Sequence, residues 1–421
     1  MHKPAKADTQ PKHASLVISY HFPPILNSSG LLRILSFVRA LTEHGTDTTV
    51  LSCDIKAYQQ THSQQSTLLP ANITLVRCFA RHTAQSFSWR GKYLDLLALP
   101  DALQSWIVPA IWRGWRLIKQ NNINSILSTY PLASAHIVGY ALCRLTGVHW
   151  VADLRDPMLQ PDYPSGRLRR WLFGAIERRI FKYARWITVT TDSTAQLYQQ
   201  RFAQYADKVI TVPNGYDETL EQLAAVDKAS SGPVTLLHSG MLNKDDRDPT
   251  ALLDAVQQLH EAGKLTAANF KLVFRASDQT AMLQQLVQQR QLQALVDIAA
   301  ALPYQEAIKE MQQASALLLL QGPSCNMQIP VKLYEYLFCR RPLLALCHPD
   351  GEVARLCQQL QVGICVAIED SVAISGAIEQ LLHQLAHNSA RILTPNQLPQ
   401  LSRRQHAMRL AELMRPPQRQ D

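Results

Sequence analysis

Along this chain, short and wholly apolar runs alternate with longer stretches in which apolar residues recur every three or four positions. That is the rhythm of parallel strands buried on both faces and of the amphipathic helices that connect them. The first run, 15–20, is followed by the loop HFPPILNSSG and a helix predicted over 31–44, with Ile34, Leu35, Val38 and Leu41 on one face and Gly45 as its C-cap. A strand at 48–51 completes a βαβ opening. Residues 55–90 are rich in Gln and Ser, and no element is assigned there. Strands at 125–128 and 150–153 flank a helix at 132–145. A helix at 168–183, a strand at 186–190, a helix at 193–202 and a strand at 209–212 follow. The alternation restarts at 234–238 and runs through a helix at 250–260, a strand at 270–274, a helix at 280–291, a strand at 296–299 and a helix at 304–314. A strand at 316–320 (ALLLL), a loop broken by Gly322 and Pro323, a helix opened by Pro330 and a strand at 343–346 come next. The last predicted helix covers 402–414.

A pattern that restarts midway through 421 residues predicts two α/β domains. Residues 1–14 read as a disordered basic tail, since they lack the apolar core of a secretory signal. Residues 15–220 form the first domain, 221–232 a polar linker, 233–400 the second domain, and 401–421 a C-terminal helix and tail. In such sheets ligands bind where strands end. Gly30 would let a ligand approach the backbone after the first strand. Asp153, Arg155 and Asp156 (ADLRDP) cluster at another strand end, where they serve either a ligand or a structural Arg–Asp pair. The glycine loop SGMLNKDDRDP holds Gly240, Lys244 and Arg247. Its cations either clamp a diphosphate or form a solvated charged loop. Lys332 and Glu335, three apart on a helix, by spacing alone make a surface ion pair.

Charge narrows the partners. With 42 Lys and Arg against 33 Asp and Glu, the net charge of +9 favours anionic partners. Only 7% of residues are aromatic and no nucleic-acid module is visible, so phosphorylated substrates and an anionic membrane rank ahead of nucleic acid. No run of about 18 apolar residues exists to span a bilayer. The eight cysteines form no C-x-x-C pair and most sit in apolar company, the usage of a reducing cytoplasm. Over 94–119, Trp106, Trp112 and Trp115 mix with Arg113, Arg116 and Lys119. The stretch reads either as a helix lying on a membrane surface or as a core-packed helix with a basic edge.

The wording K-L-Y-E-Y-L-x3-R-P-L-L-A-L from Lys332 onward resembles the signature helix of retaining glycosyltransferases of the GT-B fold, family four. YHFPP with Gly30 and Arg33, D-x-R-D-P at Asp153, P-N-G-x-D at Pro213 and R-D-P at Arg247 occur in that family's order, over roughly 15–415. The resemblance implies two Rossmann-like domains facing across a cleft, with a C-terminal helix crossing back to the first. It implies transfer of a sugar from a nucleotide-diphosphate sugar to a hydroxyl acceptor, a glycan or lipid-linked glycan in surface polysaccharide biosynthesis, with retention. Another GT-B nucleotide-sugar enzyme, such as an epimerase, and a non-catalytic nucleotide-sugar-binding scaffold are the alternatives. Under the resemblance, Gly240, Lys244, Arg247, Met327, Lys332 and Glu335 bind the donor. Glu335 grips the ribose hydroxyls, and Arg247 and Lys332 act on the diphosphate. Met327 stands where relatives often carry a sugar-contacting glutamate. Gly30, Arg33, Asp153, Arg155 and Asp156 line the acceptor side. Arg155 falls where many relatives have a histidine. No Asp-x-Asp motif is present, so neither a metal nor a resident cofactor is implied. The expected location is cytoplasmic, peripheral to the membrane face.

Overall fold

The computed structural model describes residues 13–26, 29–62, 67–90, 92–161, 163–217, 219–220, 232–242 and 246–416. The expected tail therefore lies outside the described residues up to residue 12, and the expected linker up to residue 231. The chain divides into two compact units, residues 1–213 with 403–421, and residues 214–402.

The first unit is built on β1 (Ala14–Ile18), α1 (Ser29–Glu43), β2 (Asp47–Cys53), β3 (Ile73–Cys78), a single turn α2 (Thr83–Ser86), α3 (Ile107–Gln120), β4 (Ser125–Thr129), α4 (Ala133–Thr146), β5 (His149–Arg155), α5 (Arg167–Tyr183), β6 (Trp186–Val189), α6 (Asp192–Arg201) and β7 (Val209–Thr211). Its seven strands are all parallel, in the order β3-β2-β1-β4-β5-β6-β7. The second unit holds β8 (Val234–Ser239), α7 (Thr250–Glu261), β9 (Phe270–Arg275), α8 (Thr280–Gln289), β10 (Val296–Ala299), α9 (Tyr304–Gln313), β11 (Ala316–Leu320), α10 (Val331–Cys339), β12 (Leu343–Leu346), α11 (Glu352–Leu360), β13 (Ile364–Val366) and α12 (Ser371–Ala386). Its six strands are parallel in the order β10-β9-β8-β11-β12-β13.

The central strands β1, β4, β11 and β12 are buried at every position, as strands covered by helices on both faces must be. Each sheet reverses its winding once, between β1 and β4 and between β8 and β11. At such a switch point the connections leave to opposite faces and open a crevice beyond the strand ends. The loops after β1, β8 and β11 are those in which sequence reasoning placed ligands.

The last helix, α13 (Arg403–Leu413), belongs to the first unit, where Ala407, Leu410 and Ala411, with Met414 just beyond the helix, are buried in its core. The His149 imidazole bonds the Leu413 carbonyl at 2.8 Å, and Arg404 pairs with Glu43 at 3.0 Å. The division between units falls at Pro213–Asn214, ahead of the expected 220. Tyr216 and Leu220 pack into the second unit's core, and the Tyr216 ring lies 4.9 Å from that of Phe338. Pro330 lies outside α10 as its N-cap rather than as its first residue. No helix among the described residues is long and apolar enough to cross a membrane.

Candidate functional site

In the second unit β8 ends at Ser239, whose N–H donates to the buried Tyr336 hydroxyl of α10 at 2.9 Å. The next residue, Gly240, has φ +155°, a conformation that residues with a Cβ rarely adopt. A Cβ there would lie 3.9 Å from Lys332 Cε, so the Lys332 side chain passes directly over the glycine turn. Lys332 Nζ lies 2.6 Å from Glu335 Oε2, and Tyr304 at the start of α9 donates its hydroxyl to Glu335 Oε1 at 3.0 Å. Glu335 is only 5% exposed, so it is no surface carboxylate and the i,i+3 pair is not a solvated one.

The loop after β8 is pressed against the loop after β11. A Cβ on Gly322 would come within 1.9 Å of the Asp246 carbonyl oxygen, so only glycine fits. The Ser324 hydroxyl donates to the Asp246 carboxylate. The Gln321 side-chain amide donates to the Cys325 and Gln328 carbonyls at 2.7 and 2.8 Å and closes the 321–328 loop on itself. That loop carries the half-buried Met327. Arg247 Nη1 donates to the Met241 carbonyl at 3.0 Å. Lys244 lies outside the described residues.

Around this turn stand buried polar atoms with no hydrogen-bond partner: His238 Nε2, Arg247 Nε and Glu335 Oε2, with Asn326 Oδ1 a further one in the loop after β11. Glu335 Oε2 has the Lys332 ammonium nearby but out of hydrogen-bonding alignment. His238 Nδ1 bonds the Leu318 carbonyl at 3.0 Å, which puts the proton on Nδ1 and leaves Nε2 a bare acceptor. Burial first, and then the charges of Arg247 and Lys332 against its carbonyl bond, push the His238 pKa down to about 4, so the ring is neutral at pH 7.

In the first unit the structure brings Gly30, Arg155 and His21 together. A Cβ on Gly30 would lie 2.6 Å from His21 Nδ1 and 2.7 Å from Arg155 Nη1. Arg155 holds a left-handed φ of +61° at the end of β5, where the register with β6 shifts. It is buried and its Nε lacks a partner. Such a conformation in a bulky residue is strained and persists only where its surroundings impose it. Burial raises the neighbouring Asp156 carboxyl above its usual range, against the pull of Arg155 and Arg33. His21 is held down to about 4 by burial and by the Arg155 charge.

Arg33 and Asp153 are turned inward to each other, 2.9 Å apart and almost wholly buried. Asp153 also accepts from the Thr129 and Thr188 hydroxyls, and Arg33 donates to the Val212 and Pro213 carbonyls. Of the two readings of the DLRD cluster, the internal pair describes Asp153. Arg33, expected on the acceptor side, is a strut that ties α1 to β5 and to the end of the unit.

Sequence reasoning missed Tyr304 and His238. A histidine closing a strand just before a glycine turn is a readable signal; nothing local to Tyr304 announces its reach to Glu335. The helix predicted across 94–119 begins at Ile107. Trp106 is fully buried, whereas Val108, Trp112 and Trp115 are exposed by 74, 57 and 42% along one side of α3. The Arg116 guanidinium lies 4.8 Å from the Trp112 ring centre. The core-packed reading describes the face that carries Ala110, Gly114, Leu117 and Ile118, and the other face leaves Val108, Trp112 and Trp115 exposed.

Residues 32–215 match a family described as glycosyl transferase 4-like domain. No curated protein matches the chain. Among solved structures, sucrose-phosphate synthase from Thermosynechococcus elongatus is similar over 96% of this chain and 95% of its own, at 14% identity and a TM-score of 0.59. Anabaena HepE, solved in complex with UDP, is similar over 96% and 95% at 13% identity and a TM-score of 0.58. WaaG, a glycosyltransferase involved in lipopolysaccharide biosynthesis, is similar over 94% and 95% at 12% identity and a TM-score of 0.58. At such identities these likenesses carry the fold, which is GT-B.

Proposed function

We propose that this GT-B glycosyltransferase takes a sugar from a nucleotide-diphosphate sugar held by its second unit and passes it, with retention, to a hydroxyl acceptor held by its first. The observation that supports this most is the set of unpartnered buried atoms around Gly240, namely His238 Nε2, Arg247 Nε and Glu335 Oε2. A buried polar group left unpaired costs about 1–3 kcal/mol, so three in one place mark where a ligand completes the set. A nucleoside diphosphate has the matching groups. Its ribose hydroxyls donate to Glu335 Oε2, and its phosphate oxygens accept from Arg247 and Lys332 over a glycine that leaves the backbone open. The sugar then lies against the 322–329 loop with Met327.

Catalysis in this reading rests on position and charge. Lys332 and Arg247 stabilise the diphosphate as it leaves, a task worth most in a dry site. Neutral His238 offers an acceptor without adding a third positive charge to repel the cations. On the first unit, His21, Gly30, Arg155 and Asp156 face the acceptor, a glycan or lipid-linked glycan of a surface polysaccharide. No resident cofactor or metal is assigned a part. The test is thermal unfolding with UDP, GDP, ADP and dTDP in turn. One of them should raise the midpoint, by an amount equivalent to about 2.7 kcal/mol at a hundred times its dissociation constant. A flat response to all four and to their common sugar conjugates would remove the basis for a donor site.

The exposed Val108–Trp112–Trp115 side of α3, with Arg116 and Lys119 beside it, supports residence on the cytoplasmic face of a membrane. The protein is expected to float with vesicles containing a third phosphatidylglycerol at low salt and to come off as salt rises. Trp112→Ala/Trp115→Ala should remain at the bottom of the gradient. Wild-type protein that stays at the bottom at low salt would count against membrane residence and leave the donor site untouched.

A further inference from the structure

A cluster of thiols lies in the second unit, outside the donor loops. Cys365 is central in β13 and pairs across the ladder with Ala345 of β12. Cys347, two residues beyond Ala345, continues that ladder through its N–H to the Val366 carbonyl at 2.8 Å, so it points to the same face of the sheet as Cys365. Cys357 lies on α11, which covers that face. The turn leaving α11 is tight, since Val362 N–H donates to the Cys357 carbonyl at 3.0 Å and Gly363 takes φ +76° to enter β13. The chain therefore doubles back within eight residues and sets Cys357 over Cys365.

Cys347 and Cys357 are the thiol neighbours of Cys365. Thiols beside a sulfur favour its thiolate, so Cys365 is lowered from the ordinary thiol range while its two neighbours are raised. Cys357 and Cys365 line a cavity of about 580 Å³ with Gln358, Ser389 and Arg391, and the last adds a cation. Of the three, only Cys365 is more than marginally exposed. The other buried cysteines lie elsewhere, Cys53 in register with Cys78 across the β2–β3 ladder and Cys339 at the end of α10.

We propose that Cys347, Cys357 and Cys365 form an oxidation site, at which a hydroperoxide entering this cavity links Cys357 to Cys365. The Cys365 sulfur attacks the terminal peroxide oxygen, the O–O bond breaks, and the alcohol, or water from hydrogen peroxide, departs. The Cys357 thiol displaces hydroxide from the resulting sulfenic acid, forming the S–S bond and a water. Two thiols thereby give two electrons and two protons to one peroxide. Cys347 neighbours the attacking sulfur and stays reduced. The site is independent of the sugar-transfer reading.

The test uses full-length protein, freed of reductant, titrated with hydrogen peroxide, alkylated and digested without reduction. A peptide joining Cys357 to Cys365 is expected before Cys143, half-buried in the other unit, is modified. Cys357→Ser should leave a sulfenic acid at Cys365 that dimedone traps, and Cys365→Ser should lower the rate of peroxide consumption at least tenfold. Circular dichroism identical to wild type keeps both variants informative. Oxidation of Cys365 no faster than of Cys143, or a link from Cys365 to Cys347 instead, would overturn the proposal.

Discussion

Glu335→Ala is expected to lose most of the stabilisation that the right nucleoside diphosphate confers, with donor affinity falling about 10- to 150-fold. The ribose hydroxyls lose a charged acceptor worth roughly 1.5–3 kcal/mol. The structure sharpens the expectation. Glu335 is buried and already holds Tyr304 and Lys332, so it is fixed in place rather than free to swing. Arg247→Ala should separate binding from chemistry. Its charge matters most as the diphosphate departs, so turnover should fall further than affinity does. Calorimetric donor affinity and nucleotide release in the presence of acceptor, measured on both variants, check this. Wild-type behaviour of both would place the donor elsewhere, and a wild type that binds donor but releases nothing with any acceptor would favour a scaffold.

Asp153→Ala is expected to cost the first unit about 3–5 kcal/mol, because it strands the Arg33 guanidinium in the core. That is a large share of the ~5–15 kcal/mol by which a domain is ordinarily stable. Burial alone would raise the Asp153 carboxyl, but the Arg33 charge and hydrogen bonds prevail and the net shift is downward. A lowered folded-state pKa means that the contribution is present above about pH 4 and is lost as pH falls through the folded value. All seven tryptophans, from Trp89 to Trp186, belong to the first unit. Intrinsic tryptophan fluorescence in urea therefore reports that unit by itself. A midpoint unchanged by the substitution would show that the pair contributes nothing.

Much of this architecture could be read from apolar rhythm, and what escaped has identifiable causes. ALLLL at β11 is plain because burial on both faces leaves no polar interruption, and α10 because its buried Leu333, Tyr334 and Leu337 recur at helical spacing. Strand β3 was missed because it is an edge strand, half-exposed at most positions and set in a polar stretch. The turn from α11 into β13 escaped because a three-residue strand is too short to show a period. Within the site, local sequence could place Lys332 and Glu335 on one helix. It could not decide whether Asp153 met a ligand or a partner, since Arg33 lies 120 positions away. Tyr304 was hidden for the same reason, its contact with Glu335 being made by the packing of α9 on α10.

The return of α13 to the first unit sets an order of events during synthesis. The surface of α1 that Ala407, Leu410 and Ala411 cover stays open until those residues have left the ribosome. Residues 214–402 must be translated in between, which takes roughly 10–40 s at ~5–20 residues per second. The unit begun first is therefore completed last, and the contiguous second unit can close before it. For that interval the nascent chain displays an apolar strip on α1, the stretch where a cotranslational chaperone would find most to hold.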